Sequence, residues 1–165
     1  MLRAVVWILI TWRWGDWRQW KKYQSTILFF ISCDLLYNVI CHNYLLWKFT
    51  PSRLFTSHTA VNLFEDFVIY PCALILYLGR YPKSILTKII WNILWVLIWI
   101  GIEWINKLLG LITYHHGWNI WWSVLLMSFA IPMVRLHFIK PLWTYGLSLI
   151  CIVFLVFLFK VPFGK

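Results

Sequence analysis

Five apolar runs, each close to the thickness of a bilayer in length, most constrain what this chain can fold into. A transmembrane helix needs about 20 consecutive, predominantly apolar residues. The runs that reach or approach this length are 26–47, 59–79, 89–106, 118–134 and 141–159. Because the backbone must satisfy its own hydrogen bonds in lipid, each run is predicted to be a helix. The sequence therefore predicts an all-α, polytopic transmembrane bundle of about five spans.

The composition agrees with a membrane protein and excludes a soluble domain. Hydrophobic residues make up 62% of the 165 residues and charged residues only 12%, whereas soluble domains are about half apolar and a quarter charged. The net charge of +10 lies in short clusters between the apolar runs, a pattern typical of loops that face lipid headgroups. We therefore expect membrane lipids, and no nucleic acid, as partners.

The N-terminal segment, residues 1–25, differs from the five runs. Its apolar stretch 4–11 spans only about 12 Å as a helix, is too short to cross a bilayer, and is expected to be retained because no small-residue cleavage site follows it. Residues 13–22 interleave tryptophans with cations and predict an amphipathic helix lying flat at the interface. We interpret this helix as a topological anchor rather than as a site of specific lipid recognition. The expected lipid-interface residues are Trp14, Trp17, Arg18, Trp20, Lys21 and Lys22.

Residues 26–165 are predicted to form a single transmembrane domain.

The distribution of Lys and Arg predicts the orientation of the chain. With five spans and a cytoplasmic N-terminus, ten of the 15 basic residues fall inside and five outside. The inside set is Arg3, Arg13, Arg18, Lys21, Lys22, Arg80, Lys83, Lys88, Arg135 and Lys140. The outside set is Lys48, Arg53, Lys107, Lys160 and Lys165. By the positive-inside rule we expect a multi-pass cell-membrane protein with its N-terminus cytoplasmic and its C-terminus outside.

Polar and ionisable residues recur at helical spacing within the apolar runs. Such residues are costly in lipid and usually face the bundle interior. Helical rise and alternating span direction place several of them at similar depth, toward the outer face. We therefore predict one polar intramembrane cluster. Its candidate members are Asp34, Asn38, His42, His58, Asn62, Glu65, Asp66, Glu103, His115 and His116.

Three interpretations of this cluster remain open. The first is a hydrogen-bonded core that holds the helices in register. The second is a pathway for an ion, proton or small solute, and the third is an intramembrane enzyme or metal site. No H-E-x-x-H or G-x-S-x-G motif is present, so no catalytic residue, metal or cofactor is predicted. The stripe formed by Trp91, Trp95 and Trp99 favours helix packing over the alternative of a pocket for a flat lipid.

Several short motifs, in this order, resemble a family of small, uncharacterised polytopic membrane proteins found chiefly in spore-forming Gram-positive bacteria. They are "DWRQWKKYQSTILFF", "DLLYNVICHNYLLWKF", "HTAVNLFEDFVIYP", "GIEWI", "YHHGWN" and "RLHFIKP". The resemblance implies a bacterial cytoplasmic membrane and a role connected with sporulation or the spore envelope, and it implies no catalytic residues. The motifs contain Asp34, Asn38, His58, Glu65, Glu103 and Trp118.

The function predicted from these features is non-enzymatic. The expected role is that of a scaffold or accessory component of a membrane complex, with another membrane protein or a second copy of this chain as partner. The alternative is a small transporter or ion-conducting protein that uses the carboxylates and histidines of the cluster.

Overall fold

The computed structural model describes residues 2–51 and 55–162 and confirms an all-α architecture. The helices are α1 (Leu2–Trp14), α2 (Trp20–Ile40), α3 (His58–Phe64), α4 (Tyr70–Gly79), α5 (Ile85–Leu108), α6 (Ile120–Ile139) and α7 (Pro141–Leu158). A 3-10 turn (Trp17–Gln19) precedes α2, and a π-helical turn (Glu65–Ile69) joins α3 to α4. Two short strands, β1 (Trp47–Phe49) and β2 (Ile112–Tyr114), pair in antiparallel fashion.

Five helices in the described residues are long and apolar enough to cross a membrane, as predicted. They are Trp17–Ile40, His58–Gly79, Ile85–Leu108, Ile120–Ile139 and Pro141–Leu158. The first span ends at Ile40 rather than near residue 47, because the Tyr37 hydroxyl accepts the N–H groups of Leu46 and Trp47 at 2.9 and 3.1 Å. These bonds turn the chain back over the end of the bundle.

The bundle has two different ends. At the sheet end, β1 follows α2 and β2 follows α5, with Trp47 paired to Tyr114 across the sheet. At the basic end lie the connection from α1 to α2 and the short links after α4 and α6. The six predicted lipid-interface residues are all exposed at the basic end, where tryptophan rings and cations suit lipid headgroups.

The N-terminal helix α1 differs from the predicted flat helix over residues 13–22. It ends at Trp14, and the chain turns at Gly15, where an added Cβ would clash with the Thr11 carbonyl oxygen. Along its length α1 runs parallel to the second span: Thr11 donates to the Cys72 carbonyl at 3.2 Å, and Arg80 donates to the Trp14 carbonyl at 3.0 Å. Residues 13–22 thus form the end of one helix and the start of the next.

The first turn of α1 lies at the depth of Glu65, because Arg3 forms an ion pair with that carboxylate. Glu65 is seven residues into the second span, which places it about 10 Å from the end of that helix. Arg3 therefore does not belong to the basic end, where the sequence prediction had placed it. The N-terminal segment penetrates the bundle as a half-length helix, with Ala4, Trp7 and Thr11 buried on one face.

The second span forms the centre of the bundle. Its last turns are almost completely enclosed, with Ala73 and Tyr77 at 0% and 1% exposure. The predicted tryptophan stripe of α5 packs toward this centre, where Trp7 stacks against Trp95 and Trp99 with ring centroids 6.0 and 5.9 Å apart. By contrast, most apolar side chains of α7 are exposed, as expected for a helix that contacts lipid.

Candidate functional site

Glu65 and Asp66 lie in the π-helical turn of the second span. Pro71 follows this turn and has no N–H, so the regular α-helical bonding pattern cannot continue through it. The Tyr70 N–H instead bonds to the Glu65 carbonyl, five residues back. Both acidic side chains are buried, at 3% and 0% exposure. Single π-helical turns are frequent at functional sites, and this one brings two consecutive acids into the bundle.

A chain of hydrogen bonds leads from the sheet end into the bundle. The Phe49 N–H donates to Nδ1 of His58 at 3.0 Å, so this nitrogen carries no proton. The other ring nitrogen, Nε2, lies 3.0 Å from Oδ1 of Asn38 and is therefore the donor. These two bonds define one tautomer of a neutral imidazole.

The chain continues through two amides to two carboxyl groups. Asn38 Nδ2 donates to Oδ2 of Asp34 at 3.1 Å, and Asn62 Nδ2 donates to the same oxygen at 2.6 Å and to Oδ2 of Asp66 at 3.0 Å. We name His58, Asn38, Asp34, Asn62 and Asp66 the closed network. One amide, that of Asn62, holds the carboxyl groups of two different helices together.

A cavity of about 250 Å³ lies beside the closed network and among the spans. Its walls are largely apolar, and they carry few polar side chains. The charged and amide-bearing wall residues are Arg3, Asp34, Glu65, Glu103 and Asn106. Ligand sites are typically apolar concavities with a small number of positioned polar groups, and the cavity has this character.

Glu103 lies on the cavity wall near the sheet end. Its Oε1 accepts from the Tyr114 hydroxyl at 2.6 Å and from the Ser123 hydroxyl at 2.5 Å. The Ser123 oxygen in turn accepts from Nε1 of Trp118 at 3.0 Å. Burial, together with the Glu103 carboxyl, raises the pKa of Tyr114, so this hydroxyl remains protonated and is the donor. Glu103 is thus positioned by α6 and β2.

Each of the three carboxyl groups on the cavity wall is hydrogen-bonded through one oxygen only, and for Asp34 this is Oδ2, within the closed network. Glu65 Oε1 accepts from Arg3, and Glu103 Oε1 accepts from Tyr114 and Ser123. The second oxygens, Oε2 of each glutamate, have no hydrogen-bond partner within residues 2–51 and 55–162, and neither is fully enclosed by protein. Each glutamate can therefore offer an acceptor to a molecule in the cavity.

The chain has five acidic residues, and their distribution is uneven. Asp34, Glu65 and Glu103 line the cavity, and Asp66 lies directly behind it in the closed network. The fifth, Asp16, lies at the basic end and accepts from the Tyr23 hydroxyl at 3.0 Å. Among the 15 basic residues, Arg3 is the one that the described structure places on the cavity wall. A strongly basic protein thus contains an acidic interior.

The structure separates the ten residues of the predicted cluster. Five form the closed network, and Glu65 and Glu103 lie on the cavity wall. The three other histidines lie outside. His42 is exposed because α2 ends before it, and His115 and His116 are exposed in the loop between β2 and α6. His116 adopts φ 54° and stacks on Tyr44, so this pair lies in a turn outside the spans and away from the other members of the predicted cluster.

Sequence reasoning missed several residues of the site. Arg3 was counted among the loop cations, and Tyr114 and Ser123, the partners of Glu103, gave no signal in the sequence. An arginine at the start of an otherwise apolar helix was the available clue for Arg3. Among the residues described, no three His, Cys, Asp or Glu side chains come together as a metal-ligand set.

Comparison with protein-family models, with curated proteins and with solved structures finds no match to this chain. The resemblance suggested by the short motifs therefore stays a prediction. The function is inferred from the geometry of the cavity and from the charges around it.

Proposed function

We propose that this protein is a small membrane transporter that binds a cationic solute in the acidic cavity and carries it across the bilayer. One observation supports this most directly: three of the five acidic residues of a chain with net charge +10 line a single cavity within the bundle. Ionisable residues inside a membrane are expensive and typically mark substrate or ion pathways.

The electrostatics of the cavity favour a cation over an anion or a neutral solute. A concave site lined by charges of one sign, with low-dielectric walls, concentrates ions of the opposite sign. Glu65 has a directly paired cation in Arg3, whereas Glu103 is held by two neutral hydroxyl donors and its nearest cation, Lys107, lies over the Tyr114 ring without pairing with the carboxylate. A bound cation would therefore interact most favourably at Glu103.

Carboxyl groups bind either a proton or a cation, so the two are expected to compete in this cavity. Proton relays in pumps and transporters use buried carboxylates in this way. We therefore propose that uptake of the cation releases protons, and that an opposing proton gradient drives transport. The closed network holds Asp34 at the cavity wall while this exchange takes place.

The test is transport into liposomes that contain the purified protein. Cation accumulation driven by an imposed pH gradient is measured for the wild-type protein, for Glu103→Gln and for Asp16→Asn. The last variant is the matched control, because it neutralises the one acidic residue that lies away from the cavity and its network. We expect Glu103→Gln to reduce the initial rate at least about tenfold and Asp16→Asn to leave it nearly unchanged. Wild-type rates no higher than those of empty liposomes would overturn the proposal.

We also propose that the basic end faces the cytoplasm. With Arg3 inside the bundle, nine cations of the predicted inside set remain on this side, against Lys48, Lys107 and Lys160 at the described sheet end. Arg53 and Lys165, which complete the predicted outside set, lie outside the described residues. A fluorescent protein that folds only in the cytoplasm should remain dark at the C-terminus of the full chain and fluoresce when it is inserted at Lys83, in the basic-end link after α4. The opposite pattern would reverse the orientation.

The scaffold role expected from the sequence, and the link to sporulation that the family resemblance implies, both stay predictions. No feature of the described residues identifies a protein partner for the bundle. A pull-down in a mild detergent that recovers one stoichiometric membrane protein would support the scaffold role.

A further inference from the structure

The chemical character of the cavity points to a particular class of cation. We infer that the cavity accepts a monovalent organic cation with an apolar or aromatic body, such as an alkylated ammonium, rather than an inorganic ion. This inference rests on the proposed function, because it names the substrate class of the same cavity. Three independent features of the walls carry it.

The first feature is the small number of available oxygen ligands. Hard cations such as Mg²⁺ and Ca²⁺ take six or more oxygen ligands at fixed short distances. The described residues contain no group of three His, Cys, Asp or Glu side chains arranged for a metal. Glu65 and Glu103 offer single free oxygens instead. Such isolated acceptors suit a diffuse charge, as on a substituted ammonium, better than a compact ion.

The second feature is a group of aromatic rings at the sheet end of the cavity. Tyr37 stacks on Trp47 with ring centroids 3.8 Å apart, and Trp47 contacts Trp118 at 4.9 Å. All three line the cavity. The negative face of an aromatic ring attracts a cation within about 6 Å, and aromatic cages are the common recognition device for quaternary ammonium groups.

The polar atoms of two of these aromatic residues are already engaged by the protein. The Tyr37 hydroxyl bonds to the backbone around Trp47, and Nε1 of Trp118 donates to Ser123. Those two side chains can thus contact a molecule in the cavity mainly through the ring surface that their packing against Trp47 leaves free. Ser123 also donates to Glu103, so the carboxylate and the aromatic group form one connected unit.

The third feature is a second, deeper aromatic group around Tyr70. Phe30 meets the Tyr70 ring edge-on at 5.1 Å, and Trp99 does so at 5.6 Å. All three line the same cavity as Glu65. An apolar body of the occupant would be enclosed by these rings, because the hydrophobic effect and dispersion both favour such contacts. A fully hydrated inorganic ion would gain no binding free energy from contact with these aromatic walls.

A matched pair of probes tests this inference on the full chain in lipid nanodiscs. The probes are benzyltrimethylammonium and neopentylbenzene, which share one shape and differ in charge, with Na⁺ and Mg²⁺ as inorganic competitors. Binding is followed by the tryptophan fluorescence of the protein. We expect the cation to bind at least about tenfold more tightly than the neutral analogue, the effect of one unscreened ionic contact. We also expect it to resist displacement by millimolar Na⁺ or Mg²⁺.

Two variants locate the site. Glu103→Gln should weaken binding of benzyltrimethylammonium about tenfold, and Trp47→Leu should weaken it several-fold through loss of the ring face. Thermal unfolding of both variants in the same nanodiscs tests whether they remain folded. If either variant is unfolded, the probe pair on the wild-type protein still decides the question.

The outcomes separate this inference from the proposed function. Binding of Na⁺ or Mg²⁺ in preference to the organic cation overturns the inference and leaves a cation transporter. Binding of the organic cation without transport in liposomes supports the inference and overturns the transporter. Equal binding of the neutral analogue, or no binding of any probe, overturns both.

Discussion

Glu65 and Asp66 are neighbours in the chain, yet they belong to two different regions of the molecule. Asp66 is a member of the closed network: the Asn62 amide donates to its Oδ2, and its Oδ1 is buried without a hydrogen-bond partner among the described residues. Glu65 lies on the cavity wall, paired with Arg3 through one oxygen and with the other free. Both side chains are almost fully buried. Burial alone therefore does not distinguish a structural carboxyl group from one that is available to a ligand.

What separates the two regions is where the unpaired carboxyl oxygen lies: Oδ1 of Asp66 is enclosed by protein without a partner among the described residues, whereas Oε2 of Glu65 and Oε2 of Glu103 are not enclosed. The closed network draws donors from two asparagines and a histidine on neighbouring helices, which fixes the relative position of the first two spans. Each cavity glutamate is hydrogen-bonded through Oε1, and its Oε2 remains available to a molecule in the cavity. A hydrogen bond in a low-dielectric interior stabilises strongly when complete, and an unpaired polar group there is costly. Variants that remove donors should therefore affect the two regions differently.

The largest effect is expected for Asn62→Leu in the closed network. This change removes the amide that donates to both Asp34 and Asp66 and leaves two buried carboxyl groups with fewer partners. Each unsatisfied buried group costs about 1–3 kcal/mol, so we expect a loss of about 2–5 kcal/mol in the free energy of unfolding. Denaturant unfolding in detergent micelles measures it. Asn43→Leu, at an exposed turn, is the control, and equal effects of the two would contradict the assignment.

The next effect is expected at Glu103, where two substitutions should separate stability from binding. Gln retains an oxygen that accepts from Tyr114 and Ser123, so Glu103→Gln should change stability by less than about 1 kcal/mol. Leu leaves both hydroxyls without their acceptor, so Glu103→Leu should cost about 1–3 kcal/mol. Both variants should lose cation uptake. Retained uptake in Glu103→Gln would show that this carboxylate is structural, like those of the closed network.

Arg3→Met is expected to reduce stability less than Asn62→Leu does. Unlike the Glu103 variants, it should strengthen the binding of a cation. The Arg3 side chain is 33% exposed but that of Glu65 only 5%, and Glu65 can take up a proton once Arg3 is removed, so loss of the ion pair should cost about 1–2 kcal/mol. Glu65 would then lack its internal cation, and we expect the affinity for an organic cation to rise several-fold. A titration monitored by tryptophan fluorescence measures the change. Unchanged or lower affinity would show that Glu65 does not contact the occupant.

The smallest effect is expected on the lipid-facing surface of α7. Phe157 is 78% exposed, and Phe157→Leu exchanges one apolar side chain for another at a position without a packed environment. Surface substitutions of this kind usually change stability by less than about 0.5 kcal/mol. Unfolding in micelles and uptake in liposomes should both match the wild-type protein. A loss of either would indicate that α7 contacts a second copy or a partner there.

Much of the fold could be predicted from the pattern of apolar residues, and part of the site from helical spacing. Asp34 and Asn38, four residues apart on one helix, do face Asn62 and Asp66 on the next. The end of the first span could not be predicted, because an apolar sequence continues to Trp47 and only the Tyr37 hydroxyl ends the helix there. The same contact excludes His42 from the site. Tyr114 and Ser123 were missed because neither is unusual in its local sequence.

The sequence by itself determined that the chain suits a membrane, how many helices are long and apolar enough to cross it, and where polar residues recur along them. These properties follow from the cost of placing polar groups in lipid, which is read from each segment separately. Only the tertiary structure decided which polar groups meet. Arg3 reaches Glu65 because a half-length helix inserts beside the second span, and Glu103 is separated from Asp66 by a cavity. Such pairings depend on how helices pack against one another, and helical period within one segment carries no information about them.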